Sequence, residues 1–327
     1  MALDDPARAA RLRDQPRTDL SVGERMHRFC LALQTRIVGA FERLEAEAGS
    51  DARFGADAWE RPGGGGGLSR VLEGGAVLEK GGVGVSAVWG DLPAPAAAAL
   101  GAEAAPFFAS GLSLVFHPRN PHVPAVHANI RTFALGAERA RPDRQWVGGG
   151  ADLTPIYPRA DDARHFHGVW KRVCDEHEVA DYAAFKKACD AYFYLPHRGE
   201  TRGVGGIFFD RLGDHGGDIE GAFLFARSVG RSLLAAYQPL VEARHGEAWG
   251  ERERAFQAWR RGRYAEFNLA YDRGTRFGLE TGGRTESILM SLPPLVEWRY
   301  DWHPDPGTPE ADAQTRFVAT DWLGDGR

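Results

Sequence analysis

The stretch from His117 to Arg131, HPRNPHVPAVHANIR, constrains the chain more than any other. Histidines and arginines stand among prolines there, and the second half alternates with the period of a β-strand. Side chains on a strand point alternately to its two faces, so Val126, Ala128 and Ile130 share one face and His127, Asn129 and Arg131 the other. One face packs. The other lines up an imidazole, an amide and a fixed cation, the composition of a polar binding floor. The competing reading is a solvated outer face, which is common in antiparallel sheets but more usually carries Lys, Glu and Thr.

Leu112 to His117 reads as the preceding strand, with Ser113, Val115 and His117 on one face. The connector from Pro118 to Pro124 is short enough to make the two strands antiparallel neighbours, and both polar sets would then face one cavity. His122 falls in that connector. Trp146 to Tyr157, WVGGGADLTPIY, is a further extended stretch broken by glycines.

The remaining pattern mixes helices and strands without a βαβ rhythm. Met26, Phe29, Cys30, Leu33, Ile37, Phe41 and Leu44 recur at helical spacing, which predicts an amphipathic helix from Glu24 to Glu47. Gly63 to Gly67 predict a mobile loop or a close approach of backbone to ligand. An Ala/Pro connector is expected from Pro93 to Pro106, and a helix from Ala163 to about Cys189. A loop and buried strand follow at YFYLPHRGETRGVGGIFFDRL, then helices over Ile219 to His245 and Glu251 to Arg261. Tyr264 to Asp272 reads as strand-like and opens a glycine-rich run of strands and a short helix ending near Trp298. The expected architecture is a single α+β domain, a large antiparallel β-sheet flanked by helices on both sides. Residues 21–327 form that domain and residues 1–20 a loose arm.

Composition narrows the function classes. A chain of 327 residues with 43% hydrophobic and 26% charged residues is that of a soluble globular protein. No apolar run approaches the roughly 20 residues of a spanning helix. The N-terminal segment has no apolar core of a secretory signal. Cys30, Cys174 and Cys189 read as reduced core residues of a cytoplasmic protein. A net charge of −5 argues against nucleic acid as the main partner.

Four histidines, His117, His127, His167 and His197, either converge on a divalent metal or serve as proton donors and hydrogen-bond partners. None of their spacings is a strong metal signature, and both readings stay open. At about 100° per residue, His167 lies at the edge of the buried stripe of its helix, while His165 points away and reads as a half-exposed helix histidine. Arg131, Arg198, Arg202 and Arg284 stand where a surface lysine would ordinarily do, and arginine is the better bidentate partner for a carboxylate. In TGGRTES, Gly282 and Gly283 would let a ligand carboxylate approach backbone N–H groups at a helix start. The plainer reading is a helix start capped near Thr281 or Thr285. Asp152, in an apolar and glycine-rich setting, is expected to be buried and paired, or else a cap. There is no P-loop, no GxGxxG after a strand, no nucleophile elbow and no CxxC pair, so flavin, nicotinamide and iron–sulfur chemistry lack support.

Four longer motifs, in order, carry a resemblance. GLSLVFHPRNPHVPAVHANIRTF, WVGGGADLTPIYP, YFYLPHRGETRGVGGIFFD and YAEFNLAYDRGTRFGLETGGRTESILMSLPPLVEW resemble the oxygen-dependent coproporphyrinogen III oxidases. The likeness runs from the first helix to about Trp302, and the HANIR form is that of the bacterial branch. It implies oxidative decarboxylation of two propionates of coproporphyrinogen III to vinyl groups, with O2 consumed and CO2 and hydrogen peroxide released. It further implies His127 as proton donor, with Asp152 on the pyrrole N–H groups and Arg131 and Arg284 on propionates. Ser113, Asn129, Ile130, Arg131, Gly282, Gly283 and Arg284 match substrate contacts. His117, His127, His167 and His197 match a divalent metal set of bacterial members, although other accounts of the family need no metal or organic cofactor. The stretch from Tyr264 to Trp298 matches a segment tied to homodimer formation. Two rival readings are a non-catalytic tetrapyrrole carrier and a metal-dependent hydrolase built on the histidines.

Overall fold

The structure, a computed structural model, describes residues 20–92, 94–99, 105–136, 142–280 and 283–324. Residues 1–19 of the expected arm, residues 93 and 100–104 of the connector expected from Pro93 to Pro106, and Thr281 and Gly282 lie outside the described residues, while residues 94–99 of that connector are helical. In chain order the elements are α1 (Val22–Glu47), β1 (Gly55–Glu60), β2 (Gly65–Glu73), β3 (Leu78–Asp91) and α2 (Ala94–Ala99). Next come β4 (Pro106–Pro118), β5 (Ala125–Leu135), β6 (Arg144–Thr154), α3 (Ala160–Asp175) and α4 (Tyr182–Tyr192). The short pair β7 (Tyr194–Leu195) and β8 (Glu200–Thr201) precedes β9 (Gly205–Leu212), α5 (Ile219–Arg244) and α6 (Glu251–Ala270). The chain closes with α7 (Arg273–Glu280), α8 (Thr285–Leu289) and α9 (Pro309–Gln314).

Seven strands form one antiparallel sheet in the order β1-β2-β3-β4-β5-β6-β9. This is the α+β architecture expected from the sequence, with helices on both sides. The strand alternation at β5 is what divides the molecule. Leu112, Leu114, Phe116, Val126, Ala128 and Ile130 all face the main apolar core, where α1 and α5 cover the sheet. The helix α1 starts where its own residues cap it: Ser21 Oγ accepts from Glu24 N–H, and the Glu24 carboxylate accepts from Ser21 N–H at 3.0 Å. Its stripe of Met26, Cys30, Leu33, Ile37, Phe41 and Leu44 is buried as its spacing demands.

Three local expectations are corrected. Gly65 to Gly67 are not a loop; they belong to β2 and pair with Trp59 and Glu60 of β1 and with Ser86 to Val88 of β3. A Cβ at Gly67 would lie 2.4 Å from the Trp59 ring, so the close approach is to neighbouring strands. The helix expected from Ala163 to Cys189 is two, because Asp181 accepts from Ala184 N–H and caps a fresh start. Tyr264 to Asp272 is not a strand. Tyr264 to Ala270 continue α6, burying Tyr264, Phe267 and Asn268 at helical spacing. Its aromatic content imitated a strand, and Gly262 inside the helix imitated a break. That glycine instead lets the 297–298 backbone lie on the helix, since a Cβ would meet Glu297 O at 3.2 Å.

Candidate functional site

The second face of the sheet is paved. Reading across the strands, Asp57, Ser69, Gly84, Ser113, Asn129, Gly150 and Phe208 form one row. The adjacent row holds Gly82, Val115, His127, Asp152 and Gly206, and the row on the other side holds Gly111, Arg131 and Gly148. Bare glycine backbone between polar side chains makes a broad, low floor that a large flat ligand can approach. Ser113 and Asn129 face each other across β4 and β5, as the short connector requires. Ile130 does not belong to this floor; its side chain is in the core on the opposite face.

Over the β1–β3 end lies the segment that carries α8. Ser287 Oγ hydrogen-bonds Ser69 Oγ at 2.8 Å, and Met290 fills the hollow above Gly82 and Gly84. Arg284 pairs with Asp57 of β1 and stands at the N-cap of α8, whose start has no side-chain cap bond. Gly283 donates its N–H to Gly278 O at 2.7 Å, so that N–H is already spent within the segment.

Over the β4–β6 end the floor holds a continuous polar chain. Asp152 is 2% exposed and sits between two partners: His127 Nδ1–H donates to Oδ1 at 2.8 Å, and Arg202 donates to Oδ2 at 2.7 Å. Burial works against its charge, yet the Arg202 guanidinium and then His127 hold the carboxyl below the usual aspartate range. Arg202 is itself buried, enclosed by the rings of Phe193, Tyr264 and Phe267, and donates to Asn268 Oδ1 at 2.8 Å. With Nδ1–H committed to the carboxylate, His127 turns Nε2 toward Asn129, 3.5 Å away. The imidazole is 20% exposed, the one member of the triplet His127–Asp152–Arg202 that reaches the open floor. Arg131 donates to Asn129 Oδ1 at 2.8 Å and to Asp210 Oδ1 at 2.9 Å, with 41% of its side chain exposed.

Asp152 is thus buried and paired, as its apolar and glycine-rich setting predicted, and through Oδ1 it orients His127. Chemically the arrangement offers an imidazole fixed through Nδ1, whose Nε2 accepts only a long 3.5 Å bond from Asn129 Nδ2, backed by a buried carboxylate, beside a half-exposed cation. That is the equipment for holding an anionic substrate and moving one proton at a stated atom.

The four histidines do not come together, which corrects their expected convergence on one metal ion. His167 Nε2–H donates to Val204 O at 2.9 Å and its Nδ1 accepts from Tyr182 OH at 2.8 Å. His197 Nε2–H donates to Glu266 at 2.7 Å and its Nδ1 accepts from Tyr271 OH at 3.0 Å. Neither ring has a lone pair to spare for an ion. His117 donates from Nε2 to Ser291 O at 2.9 Å. Burial first, then the Arg261 charge, pushes His117 down to about 3, and burial pushes His167 down to about 4. Among the described residues, no group of three or more His, Cys, Asp and Glu side chains could hold a metal ion. His165, as expected, is an exposed helix histidine, donating to Ala235 O at 2.9 Å. Arg198 also leaves the site: with His197 it binds Glu266, where burial is outweighed by Arg198, Trp298 and His197, which hold that carboxyl at about 2.

Residues missed in the sequence are the partners. Asp57 lies in no motif, Asp210, Asn268 and Ser291 lie within the longer motifs without being singled out, and Arg202 was read only as one of four dispersed arginines. Their contacts come from tertiary adjacency, which linear spacing does not encode.

Comparison with known proteins adds an independent finding. The family model described as "Coproporphyrinogen III oxidase" matches residues 25–322. Proteins from three strains of Coxiella burnetii, each called "Oxygen-dependent coproporphyrinogen-III oxidase", are 54% identical over 294 residues, covering 89% of this chain and 93% of theirs.

Proposed function

The chain belongs to the coproporphyrinogen III oxidase family, and from that premise we propose that it is an oxygen-dependent oxidase converting two propionates of coproporphyrinogen III to vinyl groups. Each conversion breaks one Cβ–H bond and the bond to the carboxylate, forms the C=C bond and releases CO2. The two electrons reduce one O2, which takes one hydrogen from Cβ and one proton from the medium to leave as hydrogen peroxide. The product is protoporphyrinogen IX, an intermediate of haem biosynthesis.

The observation that carries this reading is the pairing of His127, fixed through Nδ1 and held at Nε2 only by a long bond from Asn129, with the half-exposed Arg131 on the same glycine-paved floor. We assign the proton to His127 Nε2, with Asp152 and Arg202 positioning it. Arg131 and Arg284 receive propionates, which exchange with Asp210 and Asp57 respectively. Asp57 and Asn129 lie in one row four strands apart, about 19 Å at the usual strand spacing, and Arg131 adjoins Asn129, so the two cations bracket the floor. Ser113, Asn129 and the backbone at Ile130 and Gly282 complete the assigned contacts, and Gly283, its N–H spent on Gly278, shapes the turn beside Arg284. No step is routed through a metal ion, because the histidine set named for it does not fit one.

The homodimer belongs to the same proposal. Leu269, Tyr271, Leu279, Leu295 and Trp298 are large apolar side chains exposed within the stretch from Tyr264 to Trp298, which is what an unpaired subunit interface looks like. A cytoplasmic location is supported by three buried, unpaired cysteines. Among the described residues no helix is long and apolar enough to cross a membrane.

An oxygen electrode with product analysis tests the reading. Purified protein given coproporphyrinogen III should consume O2 and form vinyl product in step, and form none under argon. Binding without O2 uptake would instead identify a tetrapyrrole carrier.

A further inference from the structure

Beyond the His127 row, the same sheet face continues beneath α6 into a small chamber of about 20 Å3. His117, Thr154, Arg202 and Tyr264 all line it. Each is buried, and each has one side-chain polar atom there without a protein partner: His117 Nδ1, Thr154 Oγ1, Arg202 Nε and Tyr264 OH. Unpartnered polar atoms are uncommon in folded interiors, and four around one chamber mark a ligand position. We propose that this chamber binds one ordered water molecule, and that the water fixes Arg202 against Asp152 and so positions His127.

The chemistry selects water over other small occupants. A chamber needs upward of about 10–15 Å3 and two to four polar partners to hold one water, and this one has both. His117 donates from Nε2 to Ser291 O, so its Nδ1 is a lone pair facing the chamber. An anion would meet that lone pair head-on, and a dissolved gas would leave all four groups unsatisfied. Water accepts from Arg202 Nε–H and Tyr264 O–H while donating to His117 Nδ1 and Thr154 Oγ1, a tetrahedral set. Arg202 spends its other nitrogens on Asp152 and Asn268. The water supplies its third anchor, so the guanidinium cannot slide along the three aromatic rings around it. Thr154 and His117 are thereby positioning residues.

The positioning half of this proposal rests on the oxidase reading, while the binding half does not. The test is a crystal structure of the intact protein at atomic resolution, combined with steady-state kinetics of Thr154→Val, Thr154→Ser and Tyr264→Phe. We expect one spherical density within hydrogen-bond distance of the four atoms. Thr154→Val should lower kcat about three- to tenfold, the worth of one hydrogen bond, with KM within about twofold. Thr154→Ser should restore kcat, and Tyr264→Phe, which removes only a hydroxyl, should behave like Thr154→Val. A chamber without density, or one that shows anomalous signal after bromide exchange, overturns the binding half. Density present with kcat unmoved in both deletions overturns the positioning half. Should wild-type protein show no O2 uptake with coproporphyrinogen III, the oxidase reading fails, and the density still decides the binding half.

Discussion

Two parts of the polar floor, the buried triplet behind His127 and the exposed arginines that bracket the floor, are built on opposite principles. Around His127, Asp152 and Arg202 are both 2% exposed and bonded to each other. At the Arg131 and Arg284 ends, the cations pair with Asp210 and Asp57 while remaining partly exposed. A buried ion pair is rigid because breaking it strands a charge away from water, whereas a half-exposed pair trades partners at little cost. The difference matches the proposed division of work, in which the buried part holds the His127 imidazole still and the open arginines exchange one carboxylate for another.

Breaking the buried part should have the largest effect. Asp152→Ala leaves Arg202 as a buried unpaired cation and His127 without its orienting partner. Urea unfolding should show a loss of about 3–5 kcal/mol, and O2 uptake should fall by more than about 100-fold. A loss under about 1 kcal/mol would mean that the pair is not desolvated as described.

Acid should weaken the buried interior next. His117 and His167 are held down to about 3 and about 4, well under the value near 6.5 of an unfolded histidine. Below pH 6.5 the unfolded chain thus binds more protons than the folded one, and stability drops as pH falls toward those lower values. Each histidine contributes a slope of up to about 1.4 kcal/mol per pH unit. Asp152, also depressed, adds a further loss only below about pH 3.9. Urea midpoints measured from pH 7 to pH 5 should therefore decline steadily; a flat profile would contradict the buried neutral rings.

The open arginines should respond in binding alone. Arg131→Ala should raise KM about tenfold while changing stability by no more than about 1 kcal/mol. The smallest effect sharpens the comparison most. Asp210→Asn removes the competing carboxylate, so KM should fall about two- to threefold, and a rise in KM would place Asp210 on the substrate instead.

How much of this could be read from the residues depends on the kind of regularity involved. The face assignment of β4 and β5 was legible because period two leaves no choice: once Val126, Ala128 and Ile130 pack, His127, Asn129 and Arg131 must face away. The antiparallel pairing followed from a connector too short for any crossover. The second half of α6 was not legible, because Tyr264 and Phe267 have strand-like composition and only packing against Arg202 reveals the helical face. The histidines were visible as chemistry but not as geometry. His167 and His197 turned out to be held by Tyr182, Val204, Glu266 and Tyr271, contacts made between distant elements. The family resemblance supplied the activity, and the fold supplied the partner of each charged group.

The most direct test of the central claim is turnover of coproporphyrinogen III by His127→Ala, followed by O2 uptake and vinyl product together. His127 is partly exposed and its removal leaves the Asp152–Arg202 pair intact, so the variant should fold and bind substrate with KM near that of the wild type. We expect kcat to fall by about 100-fold or more. Turnover within a few fold of wild type would contradict the account.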